Sequence, residues 1–268
     1  RVVRRGLQGL AQHLAECGLR RSFAAAGGAA AFAPLAAPRA SRAQQPQNTV
    51  RIGVLADMSG PYRDIGGPSG VACARQAVQD FGSRGGLSVE VVAADHQNKP
   101  DVGSNVARQW FDRDGVDAIV DVSASAPALA VNNVVREKNK VHLNSGAATT
   151  DLTGAQCSPN TVHWTYDTYM LARSTATQLV KLGGDKWFFV TADYVFGHQL
   201  ERDAAAFVKS SGGQVLGRSA YPFPNTTDFS SYLIQGQASG ANVVGIAAAG
   251  GDAVNVVKQA HEFGLTSK

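Results

Sequence analysis

Apolar residues along the chain follow two alternating rhythms. Residues 50–56 form a short run rich in branched side chains, the pattern of a strand buried on both faces. Residues 68–81 follow with Val71, Ala74, Val78 and Phe81 at helical spacing. The pair then repeats. Residues 87–94, 118–122 and 141–143 read as strands. Helices are predicted from Pro100 to near Asp112 and over 127–138, each with proline in its first turn, where a missing N–H costs nothing. After an irregular stretch the alternation resumes. Helices are predicted over 169–182, 196–210, 229–237 and 254–263, and strands over 187–191, 214–220 and 242–247. Gly212-Gly213 and Gly264 close two of these helices. Strands alternating with helices imply parallel sheets covered on both faces. Two such runs predict an α/β protein of two doubly wound parallel-sheet lobes, joined near residues 162–167.

Charge first suggests a nucleic-acid binder, since the 268 residues carry a formal charge of +4. Its distribution removes that reading. Seven of the 25 basic residues and one of the 21 acidic residues fall in 1–43, leaving 18 and 20 for the rest, a net −2. No basic stripe is left to neutralise phosphates, so no nucleic-acid partner is expected. Residues 1–43 read instead as an export leader. Arg20-Arg21-Ser22-Phe23 has the form of a twin-arginine signal, an Ala/Gly-rich apolar run follows, and Ser41-Arg42-Ala43 offers a small-x-small cleavage site. A periplasmic protein is expected, in which Cys73 and Cys157 could pair or stay separate thiols.

Catalytic signatures are missing. The chain has no phosphate-binding G-x-x-x-x-G-K-[ST], no G-x-G-x-x-G after a strand, no G-x-S-x-G elbow and no H-E-x-x-H. Its six histidines show no metal-ligand spacing, so no metal and no cofactor are expected. Chemistry concentrates in the strand-to-helix turns, where open parallel sheets bind ligands against helix N-termini. These are Asp57-Met58-Ser59-Gly60-Pro61-Tyr62, Ser123-Ala124-Ser125-Ala126 and Asn144-Ser145-Gly146-Ala147-Ala148-Thr149-Thr150 in the first run. In the second they are Asp193-Tyr194-Val195-Phe196-Gly197 and Ala248-Ala249-Gly250-Gly251-Asp252. Small residues and hydroxyls in the first set suit a carboxylate, while the second adds aromatics and an acid.

Several of these motifs resemble the branched-chain amino-acid (Leu/Ile/Val)-binding family of type I periplasmic solute-binding proteins of ABC transporters. They are Ile52-Gly53-Val54-Leu55 with Ser59-Gly60-Pro61-Tyr62, Gly115-Val116-Asp117-Ala118-Ile119-Val120, Gly146-Ala147-Ala148-Thr149 with Asp151-Leu152-Thr153, Cys157-Ser158-Pro159, Asp228-Phe229-Ser230, and Lys258-Gln259-Ala260 with Gly264-Leu265. The resemblance implies a non-enzymatic Venus flytrap that closes on a small amino-acid-like or carboxylate solute and docks on ABC permease subunits in the inner membrane. By position, Ser125 matches the hydroxyl that holds a ligand carboxylate. Ala147 and Thr149 match backbone and hydroxyl contacts to the same group, and Tyr62 lies on the cleft loop. Phe196 replaces a frequent tyrosine. Asp252 falls near an acid that pairs with an α-ammonium; its other reading is an N-cap for the helix at Val254. Trp164, Tyr166 and Tyr169, at the crossover, could face the cleft or pack the hinge.

The expected organisation is therefore a leader (1–43), a first lobe (44–165) and a second lobe (166–268). Family members continue for roughly a hundred residues more, within the usual size of two such domains. The chain is thus expected to be C-terminally truncated, with the second lobe incomplete, a sheet edge exposed and fewer hinge crossings. Two other functions share the fold. One is a ligand-sensing domain of a receptor or regulator. The other is an enzyme, which would need a catalytic pair in the cleft that the motifs do not supply.

Overall fold

The structure, a computed structural model, describes residues 49–81 and 87–266; the expected leader lies outside the described residues. Five strands make the first sheet: β1 (Thr49–Ala56), β2 (Ser88–Asp95), β3 (Ala118–Asp121), β4 (Val141–Asn144) and β5 (Thr161–His163). Their order is β2-β1-β3-β4-β5, with every neighbouring pair parallel. Parallel neighbours require crossovers. Three of them are α1 (Gly67–Phe81), α2 (Pro100–Gln109) and α3 (Ser125–Lys138), and the last is a loop with a 3₁₀ turn at Thr150–Leu152. After β5 the chain enters α4 (Thr168–Lys181) and builds a second sheet from β6 (Lys186–Ala192), β7 (Gln214–Tyr221) and β8 (Val243–Ala247). Its order is β7-β6-β8, again all parallel. Helices α5 (Val195–Ser210), α6 (Ser230–Ala238) and α7 (Gly250–Glu262) complete the lobe. Among the described residues the chain passes between the sheets once, and no helix is long and apolar enough to cross a membrane.

Both lobes are covered on two faces, which the period-two alternation of strand side chains requires. In the first, Leu55 and Ile119 pack under α2 and α3, against Ala107, Val131 and Val135, while Val54 and Ala56 pack under α1 against Val71. In the second, Phe188 and Val190 meet Leu233 of α6 and Val256 of α7; Trp187 and Phe189 meet Ala172 of α4 and Ala204 and Val208 of α5. β6 is thus buried along nearly its whole length, as a central parallel strand must be.

Three details depart from the pattern. β5 was not visible as a strand; at three residues it is too short to show a period. Helix α2 passes into a π-helical turn, Trp110–Asp114, that ends at Gly115 with φ 68°. The wide turn buries both Trp110 and Phe111, and Gly53 leaves room for the indole, which lies 2.3 Å from where a Cβ would be. Helix α7 begins at Gly250, with Ala249 as N-cap, so the reading of Asp252 as the cap of a helix starting at Val254 is corrected. Its carboxylate lies inside the first turn, where it suits the positive end of the helix. Cys73 is free and exposed on α1, so it does not pair with Cys157.

His142, on β4, is fully buried. Burial, with a smaller contribution from His163, depresses its pKa from 6.5 to about 3. Burial likewise lowers His96. Between pH 6.5 and about 3 the unfolded chain binds a proton at His142 that the folded chain refuses. Stability is therefore complete above pH 6.5 and falls as pH drops below it, by up to about 1.4 kcal/mol per pH unit for one such group. Denaturation midpoints measured from pH 7 to pH 4 should fall accordingly, and His142→Gln should flatten the decline. A variant as acid-sensitive as the parent would show that His142 does not carry it.

Candidate ligand cleft

Each sheet reverses its strand order beside its first strand, between β1 and β3 and between β6 and β8. Such switch points leave a crevice beyond the strand C-termini, and here the two crevices face each other. A small cavity, of about 30 Å³, lies between them. Tyr62, Ser123, Ser125, Gly146 and Ala148 line it from the first lobe, Tyr194, Phe196 and Ala249 from the second, and Tyr166 from the crossover.

The β1–α1 loop is organised by Asp57, which is fully buried. Its carboxylate accepts the Gly60 and Tyr62 N–H groups at 2.8 and 2.9 Å. Asp95, at the end of β2, accepts the Met58 N–H and the Ser59 hydroxyl. Burial pushes the Asp95 carboxyl up, but hydrogen bonds from Ser59, Met58 and Gln97 outweigh it and hold it below the usual carboxylate range. The loop thus delivers a buried Tyr62 ring into the cleft.

Ser125 opens α3, whose N-cap, Ala124, supplies no side-chain bond. The Ser125 hydroxyl therefore stands beside uncapped N–H groups at the positive end of a 14-residue helix. The β4 turn is held by Asn144, which donates to the Asp121 and Val122 carbonyls and accepts the Ala147 N–H. The Ala147 carbonyl takes a 2.6 Å contact from His163 Nε2. Both backbone groups of Ala147 are thus engaged within the protein. The Thr149 hydroxyl accepts the Asp151 N–H, and neither residue lines the cavity; Gly146 and Ala148 do.

The second-lobe wall is aromatic. Tyr194 stacks on Phe223, with centroids 4.1 Å apart, and both approach Tyr62 across the cleft, at 6.2 and 5.8 Å. Phe196 lies 6.1 Å from Tyr194. Gly250 adopts φ 62° and brings the start of α7 so close to the first lobe that a Cβ there would lie 3.0 Å from the Pro61 carbonyl. Gln199 of α5 also donates to Asp151 at 2.7 Å. Beneath the aromatics, the hydroxyls of Tyr62 and Tyr221 and Oδ2 of Asp252 are buried without a hydrogen-bond partner. Burial raises the Asp252 carboxyl, and the nearby Tyr221 hydroxyl pulls it down less strongly. Burial and then Asp252 raise Tyr221; burial, Tyr221 and Asp252 raise Tyr62.

Tyr62, Ser125 and Phe196 therefore meet at one cavity, with Tyr166 beside them, and Asp252 lies in the polar cluster below. Trp164 is 57% exposed and is not in the cavity lining. Tyr169 packs edge-on against Phe207, at 5.0 Å, within the second lobe. Sequence reasoning missed Phe223 and Tyr221, which come from the end of β7 and the loop beyond it, and Tyr194, seen only as part of a turn. The placement of all three at the C-terminal side of second-lobe strands was the available signal.

A pocket walled by two doubly wound lobes, with donors on one side and aromatics on the other, defines a two-lobed solute-binding architecture. The chain belongs to the periplasmic binding protein family, whose profile matches residues 49–268. Similar proteins include the Leu/Ile/Val-binding protein homolog 4 of Brucella abortus, 25% identical over 230 residues, covering 82% of this chain and 55% of that one. A periplasmic binding protein of known structure from Burkholderia mallei is 50% identical, with a TM-score of 0.79 over 82% of this chain and 59% of that chain. A solute-binding protein of an ABC transporter from R. palustris, solved with 4-hydroxybenzoate, is 25% identical, with a TM-score of 0.74 over 82% and 59%. These are binding proteins, not enzymes. The chain spans a little over half the length of the relatives it matches.

Proposed function

We propose that this chain is the extracytoplasmic ligand-capturing part of an ABC importer, holding a small amino-acid-like or aromatic carboxylate between lobes 44–165 and 166–268, in the periplasm, for delivery to membrane permease subunits. The observation that carries the reading is the cavity itself. Its first-lobe wall has Ser125 at an uncapped helix N-terminus, which favours an anion. Its second-lobe wall has Tyr194, backed by Phe223, and Phe196, which favour a flat or branched apolar body. A relative named as a Leu/Ile/Val-binding protein homolog and one solved with 4-hydroxybenzoate are consistent with both halves. A ligand touching both walls favours the closed arrangement by its differential affinity.

Calorimetry and thermal shift with L-leucine, benzoate, 4-hydroxybenzoate and benzamide test this. At least one carboxylate should bind and raise the melting temperature by mass action. Ser125→Ala should weaken that carboxylate by about tenfold, the worth of a hydrogen bond to a charged group. Equal affinity for benzoate and benzamide, or indifference to Ser125→Ala, would sink the assignment of the anion pole.

A further inference from the structure

Helix α5 belongs to the second lobe, yet one stripe of it faces the first. Val195, Gln199 and Arg202 stand at i, i+4 and i+7, on a single helical face. Val195 packs on the first-lobe core cluster that contains Leu129 and Leu152. Gln199, only 7% exposed, donates its amide to Oδ2 of Asp151 at 2.7 Å. Arg202 donates to the Thr150 hydroxyl at 3.3 Å. Both acceptors sit in the 3₁₀ turn Thr150–Leu152 of the first lobe. That turn is anchored in its own lobe. The Thr149 hydroxyl accepts the Asp151 N–H, the Asp151 carbonyl accepts the Gln156 N–H, and Leu152 is buried. On α5, Asp203 accepts from Arg202 Nε and from the hydroxyl of Thr168, the first residue of α4, which fixes the stripe relative to the crossover.

Packing within the second lobe has no use for this stripe, since α5 covers its own sheet with Ala204 and Val208. The Gln199 amide oxygen is buried without a partner, so the side chain bears a desolvation cost that its bond to Asp151 must offset. Among the described residues the chain passes between the sheets once. One connection leaves two domains free to move unless an interface holds them. We propose that the α5 stripe and the Thr150–Leu152 turn form a latch, centred on Gln199 and Asp151, which holds the lobes together over the cleft and slows release of the enclosed solute. The latch rests on the two-lobed capture proposed above. None of its side chains lines the cavity, so it acts whatever the chemistry of the solute.

Spin labels on Asp64→Cys and Val254→Cys, exposed positions on the two lobes, report the lobe separation in the full chain carrying Cys73→Ser. The parent should show a short-distance population, alone or with benzoate or L-leucine added. Gln199→Glu sets a second carboxylate against Asp151 and should lower the ratio of short to long separations about tenfold, the worth of a hydrogen bond to a charged group. For whichever of the two probes binds, dissociation in stopped flow should quicken about tenfold while association changes less. Adding Asp151→Asn gives the new carboxylate a donor and should restore both readings. Distances that Gln199→Glu leaves unchanged would overturn the latch, and if the melting temperature falls at the same time Gln199 is a packing residue alone. A parent with no short population, or a loss that Asp151→Asn does not reverse, would overturn it too. If the distances respond as stated and neither probe binds, the latch stands and the carboxylate reading fails.

Discussion

Gly197→Ala is expected to destabilise the protein by about 3 kcal/mol, at the upper end of overpacking costs. A Cβ at this position would lie 2.0 Å from the Ala192 carbonyl oxygen and 3.1 Å from that of Ala247. Both neighbours are backbone at the ends of β6 and β8, so no rotamer change relieves the clash. The first turn of α5 would have to lift from the second sheet, carrying Phe196 out of the cavity wall and Gln199 away from Asp151. Urea denaturation should show a lower midpoint, and affinity for any aromatic carboxylate should fall with it. Gly251→Ala is the comparison: nothing lies within 4 Å of a Cβ there, and the residue is in the first turn of α7. Removing glycine's unfolded-state freedom should stabilise by about 0.5–1 kcal/mol. If the two variants behave alike, close backbone approach does not set the wall of the cleft.

The contrast between those glycines shows what a linear pattern can carry. Periodicity reports burial within one element. It therefore disclosed β6, buried on both faces, and the helices that cover it. It could not disclose β5, three residues long, whose place depends on pairing with β4. Nor could it locate the start of α7: Gly250-Gly251 reads as a loop, and the helix begins there because Gly250 can adopt a positive φ against the Pro61 carbonyl. The site follows the same division. Tyr62, Ser125 and Phe196 stand in turns that the strand–helix alternation itself marks. Tyr221 ends β7 and Phe223 lies in the loop beyond it, with no mark other than their position at a strand's end. Asp121 looked like one polar residue in a short strand. Its burial arises from a sheet order that puts β3 at the centre and from glycines 66, 70 and 146, whose backbones only the fold brings against one carboxylate.

Asp57→Ala carries the second large effect, because one side chain holds the loop that supplies Tyr62. Removing the carboxylate strands the N–H groups of Gly60 and Tyr62 in a partly or fully buried setting, at a cost of about 1–3 kcal/mol for each unsatisfied donor. A stability loss of about 3 kcal/mol is expected. Asp57→Asn should lose less, since its single oxygen can still accept one of the two. With the carboxylate gone, Asp95 still holds the loop at Met58 and Ser59, but the Gly60–Tyr62 part loses its acceptor and Tyr62 can swing away from Tyr194 and Phe223. Amide exchange at Gly60 and Tyr62 should accelerate, and the near-ultraviolet signal of the aromatic cluster should weaken. Binding should respond unevenly. The anion pole at Ser125 is built on α3 and the β4 turn, independent of this loop, so small aliphatic carboxylates should lose less affinity than aromatic ones, whose rings need Tyr62 opposite Tyr194. Equal losses for both classes would mean that Tyr62 seals the cleft without contacting the ligand's ring.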